Sequence, residues 1–347
     1  MQRILEVTRI CASLGLNSTT VSDRTSLGTD DDLASKLWSK SERTGSLDDL
    51  QQAILWTGKA IDAFPLDRPN RAGGMNNLAV MLGSRFERMG DIDDLQRAIK
   101  LANEGIALSP QDHPNQETSM YTLANLLSSR FKRIGDLDDL HQAISMAEIS
   151  VNAFPPGHPN RAISMHKLTI LLRLRFDRIG DLDDPKRSIL LAKEALAAIP
   201  LDHPYRATIM NSLANRLLSR FQRTGDLQDL DQVIVWVNKA VAATPLGHPH
   251  RAPRNINLSV MLSRRFDRTK NRDDLEQSIV SAEQAVGETP SDHPDRAGYL
   301  SNLGSILSSK FKCTNDLDDL YRAILWAKQA LDAFPFDHPS EQHAQLR

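Results

Sequence analysis

Cysteine is almost missing from this chain. Its 347 residues include two, Cys11 and Cys313, with no metal-ligand spacing between them. That excludes a disulfide framework or a CxxC-type zinc cluster and fits a reducing intracellular compartment. An excess of either charge is also missing: 42 Lys plus Arg stand against 44 Asp plus Glu, a formal net charge of −2. Such a balance leaves no electrostatic footprint for nucleic acid or acidic lipid. Long apolar runs do not occur. Val233 to Val237 is about the longest, far short of the ~18 residues a membrane span needs. Glu6 and Arg9 interrupt the opening MQRILEVTRICASLGL, which argues against a secretory signal. There is no glycine-rich phosphate loop and no G-x-S-x-G. The expectation is a cytoplasmic protein without cofactor or metal, partnered by neither nucleic acid nor membrane.

What the chain does have is one module, restated. FKRIGDLDDLHQAI at Phe131 returns as FERMGDIDDLQRAI at Phe86, FDRIGDLDDPKRSI at Phe176, FQRTGDLQDLDQVI at Phe221, FDRTKNRDDLEQSI at Phe266 and FKCTNDLDDLYRAI at Phe311. A further copy, SERTGSLDDLQQAI, begins at Ser41, and every step is 45 residues. A fixed period of this size marks a stacked repeat array, in which length adds repeats instead of domains. Residues 1–27 fall outside the register and read as an N-terminal segment or linker. Residues 28–347 read as about seven helix-pair repeats.

Each repeat has two parts. Helix A runs from about Asn70 to Arg88 in the second repeat, with Met75, Leu78, Ala79, Leu82 and Phe86 at the spacing of one apolar stripe. Pro69, Pro114, Pro159, Pro204, Pro249, Pro294 and Pro339 belong at its first turn, where a missing N–H costs nothing. Small residues beside the leucine (Ala79, Ala124, Ala214, Ser259, Gly304) admit a neighbouring backbone. Gly90 supplies the left-handed residue that ends the helix. Helix B starts at a capping Asp91, carries Asp93 and Asp94 in its first turn, buries Leu95, Ala98, Ile99, Ala102 and Ile106, and closes at Pro110. Arg85 and Arg88 complement the negative end of helix A. In one repeat Lys270-Asn271-Arg272 loses the glycine, although Asn271 can still cap. The fold class is therefore all-α: an α-solenoid of stacked antiparallel helix pairs.

These residues resemble a known family. The small-residue spacing of helix B (Ala98, Ala102, Gly105, Pro110) and the Asn76-Asn77-Leu78-Ala79 run look like the halves of a tetratricopeptide repeat (TPR). The Asp-His-Pro-x-Arg-Ala junctions at Asp202–Ala207 and Asp292–Ala297 resemble the longer kinesin-light-chain type. The whole 45-residue signature is similar to fungal TPR arrays that accompany CHAT peptidase domains. The resemblance covers about residues 33 to 347 and implies protein or peptide binding in a groove lined by the A helices. The family's dicarboxylate clamp is not reproduced, because Gly73, Thr118 and Ile163 stand where its lysine would.

Junction histidines (His113, His158, His203, His248, His293, His338) cannot share one zinc ion. Zinc needs ligands at ~2 Å, whereas successive helix pairs lie ~8–10 Å apart; these histidines are expected to help cap helix A, and His250 is an extra one without evident partner. Cys313 replaces the arginine of other repeats and reads as a surface position. No constellation for catalysis is expected. The groove set is read from the positions before the recurrent leucine and one turn on: Asn76, Asn77, Tyr121, Asn125, His166, Lys167, Arg173, Asn211, Asn215, Asn257 and Asn302. Asparagine amides can both donate to and accept from a peptide backbone, and Lys167 and Arg173 suit an acidic residue. The leading function is a non-catalytic scaffold holding an extended peptide or partner helix. The alternative is a regulatory or sensor arm of a larger protein with a CHAT peptidase or NTPase-switch domain. It is suggested by the last helix B, whose Trp326, Ala327, Ala330 and Leu331 would be left uncovered; self-association through that end is the further partner expectation.

Overall fold

The computed structural model describes residues 27–63, 69–109, 116–181 and 183–333. The N-terminal segment up to residue 26, with Cys11, lies outside the described residues. So do Pro110, His113, Pro114, His338 and Pro339. Fourteen α-helices and no strand occur among the described residues: α1 (Leu27–Thr44), α2 (Leu47–Ala63), α3 (Pro69–Met89), α4 (Ile92–Leu108), α5 (Gln116–Ile134), α6 (Leu137–Ala153), α7 (Pro159–Ile179), α8 (Asp183–Ala198), α9 (Arg206–Thr224), α10 (Leu227–Ala242), α11 (Arg251–Thr269), α12 (Arg272–Gly287), α13 (Arg296–Thr314) and α14 (Leu317–Ala333). Odd numbers are A helices and even numbers B helices. The chain forms two bodies, Met1–Tyr205 with α1–α8 and Arg206–Arg347 with α9–α14. Within each body every A helix packs on its own B helix, and that B helix on the next A helix. The expected class, an all-α stack of antiparallel helix pairs, is what the chain forms.

The turn inside each pair is set by one left-handed residue. Gly90 has φ of +75°, and its N–H bonds the Phe86 carbonyl at 2.7 Å. Lys270 and Asn315 hold the same conformation at φ 60° and 54°, with N–H bonds of 2.8 Å to Phe266 and Phe311. A Cβ at such an angle is strained. The following residue caps helix B: Asp91, Asp136 and Asp226 each accept from the N–H two residues on, and Asn271 does the same at 3.1 Å.

The charges of the module do more than complement helix ends. Arg130 donates through Nε and Nη2 to both oxygens of Asp139, at 2.8 and 2.5 Å, across the A–B turn. The pairs Arg85–Asp94, Arg175–Asp184, Arg220–Asp229 and Arg265–Asp274 repeat this fork at the same separation of nine residues. Lysines take the place in the outer repeats, Lys40 with Asp49 and Lys310 with Asp319. The Asp139 side chain is only 2% exposed, so without its partner it would be a buried, uncompensated charge.

A second fork ties each A helix to the B helix before it. Arg161 Nη1 donates to the carbonyls of Val151 and Phe154, and Arg251 to those of Val241 and Thr244. Arg71 reaches Ile61, and Arg296 reaches Val286 and Thr289. These are carbonyls that a helix C-terminus leaves without partners. Of the histidines expected to cap helix A, His158 does so, its Nδ1 accepting from the Asn160 N–H. His203, His248 and His293 make the same bond within a turn ahead of the helix and do not cap it, because the helix starts later. His250 supplies one of those N–H groups, and its ring lies 5.3 Å from that of His248, so it has the local partner that the sequence did not reveal. The prolines divide. Pro69 and Pro159 open their helices, but Pro204, Pro249 and Pro294 sit in a turn, and α9, α11 and α13 begin two residues later. There the residue after the proline is turn-like (ψ near 0° at His250 and Asp295), so the helix starts at the arginine.

The core runs through the facing stripes, with Leu82, Leu95, Leu127, Leu140 and Leu172 fully buried in the first body. In α14 the pattern changes: Ile324 is 60% and Leu331 71% exposed, whereas the matching Ile279 and Val286 are each 5% exposed. Trp326 is half-buried, Ala327 exposed and Ala330 buried. Asn255 occupies a core slot held by Met75, Met120, Met165, Met210 and Leu300 in other repeats. It is fully buried, and neither its Oδ1 nor its Nδ2 has a hydrogen-bond partner.

Two outcomes follow. Asp139→Asn is expected to lower stability to urea by about 2 kcal/mol, because a charge-assisted fork is lost, while Asp138→Asn, at an exposed position, costs about 0.5 kcal/mol or less. Asn255→Met is expected to raise stability by ~1–3 kcal/mol by removing an unsatisfied buried amide; a drop in the urea midpoint would show that the amide is satisfied.

Candidate functional site

A groove residue can act only where adjacent A helices bring it beside others. In the first body α1, α3, α5 and α7 supply that surface. Ser84 and Arg88 of α3 donate to the Glu42 carboxylate of α1, at 3.2 and 2.7 Å, and Ser129 of α5 donates to Glu87 of α3 at 2.6 Å. Burial raises the Glu42 pKa, against the lowering effect of Arg88 and Ser84. Gly83 allows the approach of α5, since a Cβ there would lie 2.7 Å from Leu126 Cδ2.

On this surface the predicted residues differ widely in access. Asn76 is 3% exposed, and its Oδ1 has no hydrogen-bond partner; Asn77 and Asn125 are half-buried, and Tyr121 is buried. On α7, Ala162 through Thr169 are all buried, and eight successive positions cover every direction around a helix. His166 lies within that stretch. It shares a hydrogen bond of 2.8 Å with the Tyr205 hydroxyl, and the rings meet edge-on at 5.2 Å. Its side chain is thus committed to Tyr205. Lys167 beside it is 8% exposed and forms no ion pair among the described residues. Burial holds its pKa well below the ordinary lysine range; Lys132 pushes the same way, and Glu87 opposes. Arg173 is exposed and paired with Asp177 at 2.8 Å.

The second body carries the remaining four. Asn211 is half-buried with an Oδ1 that has no hydrogen-bond partner, Asn215 and Asn302 are half-buried, and Asn257 is exposed. Here Arg254 of α11 donates to Thr244 and, at 3.3 Å, to Thr208 of α9. Sequence reasoning missed Tyr205, the tie through Glu42 and the tie through Glu87. The spacings of 42 and 46 residues, one repeat less three or plus one, are the signal that would have found the last two.

No group of three His, Cys, Asp or Glu side chains among the described residues could hold a metal ion, and Cys313 is a free, exposed thiol. No helix among those described is long and apolar enough to cross a membrane.

Seven helix pairs of one period among the described residues, each tied across its turn by an Arg–Asp or Lys–Asp pair, define a helical-repeat protein. Residues 118–160 and 256–295 match the family model described as tetratricopeptide repeat. Those two segments are of the tetratricopeptide type. Among solved structures, the chain is similar to a kinesin-light-chain protein of Podosopora anserina with nearly identical TPR-like repeats: 17% identity, 61% of this chain and 95% of that one, TM-score 0.45. It is similar to YrrB, a TPR protein with an unusual peptide-binding site, at 15% identity over 67% and 93%, TM-score 0.43. BtubC from P. vanneervenii gives 15% identity over 91% and 95%, TM-score 0.41. No curated protein sequence matches the chain.

Lys167 gives the site a pH signature. An unfolded lysine titrates near its ordinary value and the folded one lower, so between these the unfolded chain binds more protons and stability rises with pH. Lys167→Met is expected to be more stable than the parent at pH 7, with the gap closing as pH climbs toward 10.5. Urea midpoints across that range check this; a gap independent of pH would place the ammonium in water.

Proposed function

We propose that this chain is a non-catalytic interaction scaffold whose A helices hold an extended peptide or partner helix. Lys167 carries the reading. Its side chain is buried on α7 and forms no ion pair among the described residues, and burial holds its pKa well below the ordinary lysine range; Asn77 and Asn125 lie on the A helices α3 and α5. A buried charge is costly until it is paired, so an acidic group of a partner gains most at this point. The half-buried asparagines offer donors and acceptors to a peptide backbone. Repeats of this type serve in general as protein-interaction scaffolds, which agrees with such a role. In the second body Asn211, Asn215, Asn257 and Asn302 would extend the same mode of contact.

A second reading is a regulatory arm of a larger protein with a CHAT peptidase or NTPase-switch domain. The exposed Ile324 and Leu331 of α14 favour it, since that face is covered by another helix in the earlier repeats. A stop codon directly after codon 347 in the gene would remove it.

The scaffold reading is tested by panning a displayed peptide library against the whole chain and titrating enriched peptides by calorimetry. Enrichment of acidic sequences is expected, with affinity falling about tenfold, or 1.4 kcal/mol, in Asn125→Ala/Lys167→Met. Peptides that bind the double variant equally well would place the ligand elsewhere.

A further inference from the structure

The second body holds a cleft that the groove reading leaves unused. It opens between the end of α12, the start of α13 and the middle of α14, with a volume of about 540 Å³. That is within the ~300–1,000 Å³ typical of small-molecule sites. Its apolar walls are Val286, Leu303 and Trp326; Thr289, Ser291 and Arg296 supply polar groups.

Arg296 is the residue that gives the cleft a chemistry. One nitrogen, Nη1, is committed to the Val286 and Thr289 carbonyls. Its counterpart one repeat earlier, Arg251, makes the same two bonds and, in addition, donates Nε to the Glu288 carboxylate at 2.9 Å. The guanidinium in this setting thus takes a carboxylate on its remaining edge without giving up the carbonyls. At Arg296 the residue matching Glu288 is Ala333, so none of the described residues supplies a carboxylate in that place, and the cleft lies alongside instead. The rim acid, Glu283, is paired with Arg322 at 2.5 Å and so does not present an unpaired negative charge to a bound anion. Trp326 differs from its counterparts as well: Lys59 lies over the Trp56 ring and Lys239 over that of Trp236, whereas Gln329 stands at the matching place.

We infer that this cleft is a binding site for a small apolar carboxylic acid. The carboxylate sits on the outer edge of the Arg296 guanidinium, with the Ser291 hydroxyl at hand, and the apolar body lies against Trp326, Val286 and Leu303. Recognition needs both ends, since a carboxylate alone leaves the walls wet and an apolar body alone leaves the guanidinium in water.

The probes are sodium 4-phenylbutyrate and its uncharged isostere 4-phenylbutanamide, titrated into the whole chain by calorimetry. Saturable binding of the acid is expected, at least about tenfold tighter than the amide. Ala333→Glu supplies the carboxylate that Glu288 gives Arg251; it should abolish acid binding while leaving the thermal midpoint unchanged or raised. Trp326→Ala should weaken the acid about tenfold. Arg296→Gln should do the same, and because it also loosens the α12–α13 junction it is read beside Ala333→Glu. No saturable binding of the acid, equal affinity for acid and amide, or full binding by Ala333→Glu would each overturn the proposal. The Asn125→Ala/Lys167→Met double variant should bind the acid normally, which separates this site from the groove.

Discussion

The Arg–Asp fork across each A–B turn is the constraint on which the rest of the stack depends. Single helices of 16 to 21 residues draw most of their stability from packing. Packing must fix their angle, and in a repeat array any error in that angle recurs at every step. A planar guanidinium bonded to both oxygens of a carboxylate allows few orientations. With the donor on the last turn of helix A and the acceptor in the first turn of helix B, it sets the turn that Gly90 and its counterparts make possible. The exceptions support this view. In the outer repeats Lys40 and Lys310 replace the fork by a single point charge, and the Lys40 side chain is 55% exposed.

The junction fork does the complementary work between repeats. Arg161, Arg251 and Arg296 complete the carbonyls at the end of one B helix from the first turns of the next A helix. The same side chain thereby ends one element and positions the following one. Together the two forks carry most of the recurrent charge, and outside local ties such as Arg88–Glu42 the A-helix surface varies from repeat to repeat, as Asn77, Lys167 and Asn257 do.

Most of the fold was legible because it is periodic. The recurring Phe-x-x-x-Gly-Asp turn gave the helix ends, and the capping role of Asn271 could be read from one substitution. The forks were not, although both partners recur from repeat to repeat. Each charge taken singly suits the helix it belongs to, an aspartate the first turn and an arginine the last, and a pair nine residues apart spans a turn that no single-helix rule covers. His166 illustrates a different limit. A position before the recurrent leucine faces the groove only if nothing else covers that side, and Tyr205, thirty-nine residues on, does so. Asn255 is legible in the sequence, since the matching positions of the second to fifth and seventh repeats hold methionine or leucine.

Buried polarity without a partner is where this molecule departs from the economy of its repeats. Lys167 and Asn255 both occupy positions where a desolvated group costs stability, yet they have opposite relations to the surface. Asn255 is enclosed and faces the core, so its amide can be relieved only by substitution. Lys167 lies on an A helix with 8% of its surface exposed, and its long flexible side chain can carry its tip toward water. A partner's carboxylate can therefore reach the second group and not the first. By the same reasoning Arg296 is intermediate: its carbonyl-facing nitrogen is satisfied within the fold, and its outer edge borders a cleft. Free energy held back by the scaffold at such points is what a ligand can recover, which makes incompletely paired cations, more than the recurrent carboxylates, the places where this repeat array has chemistry to offer.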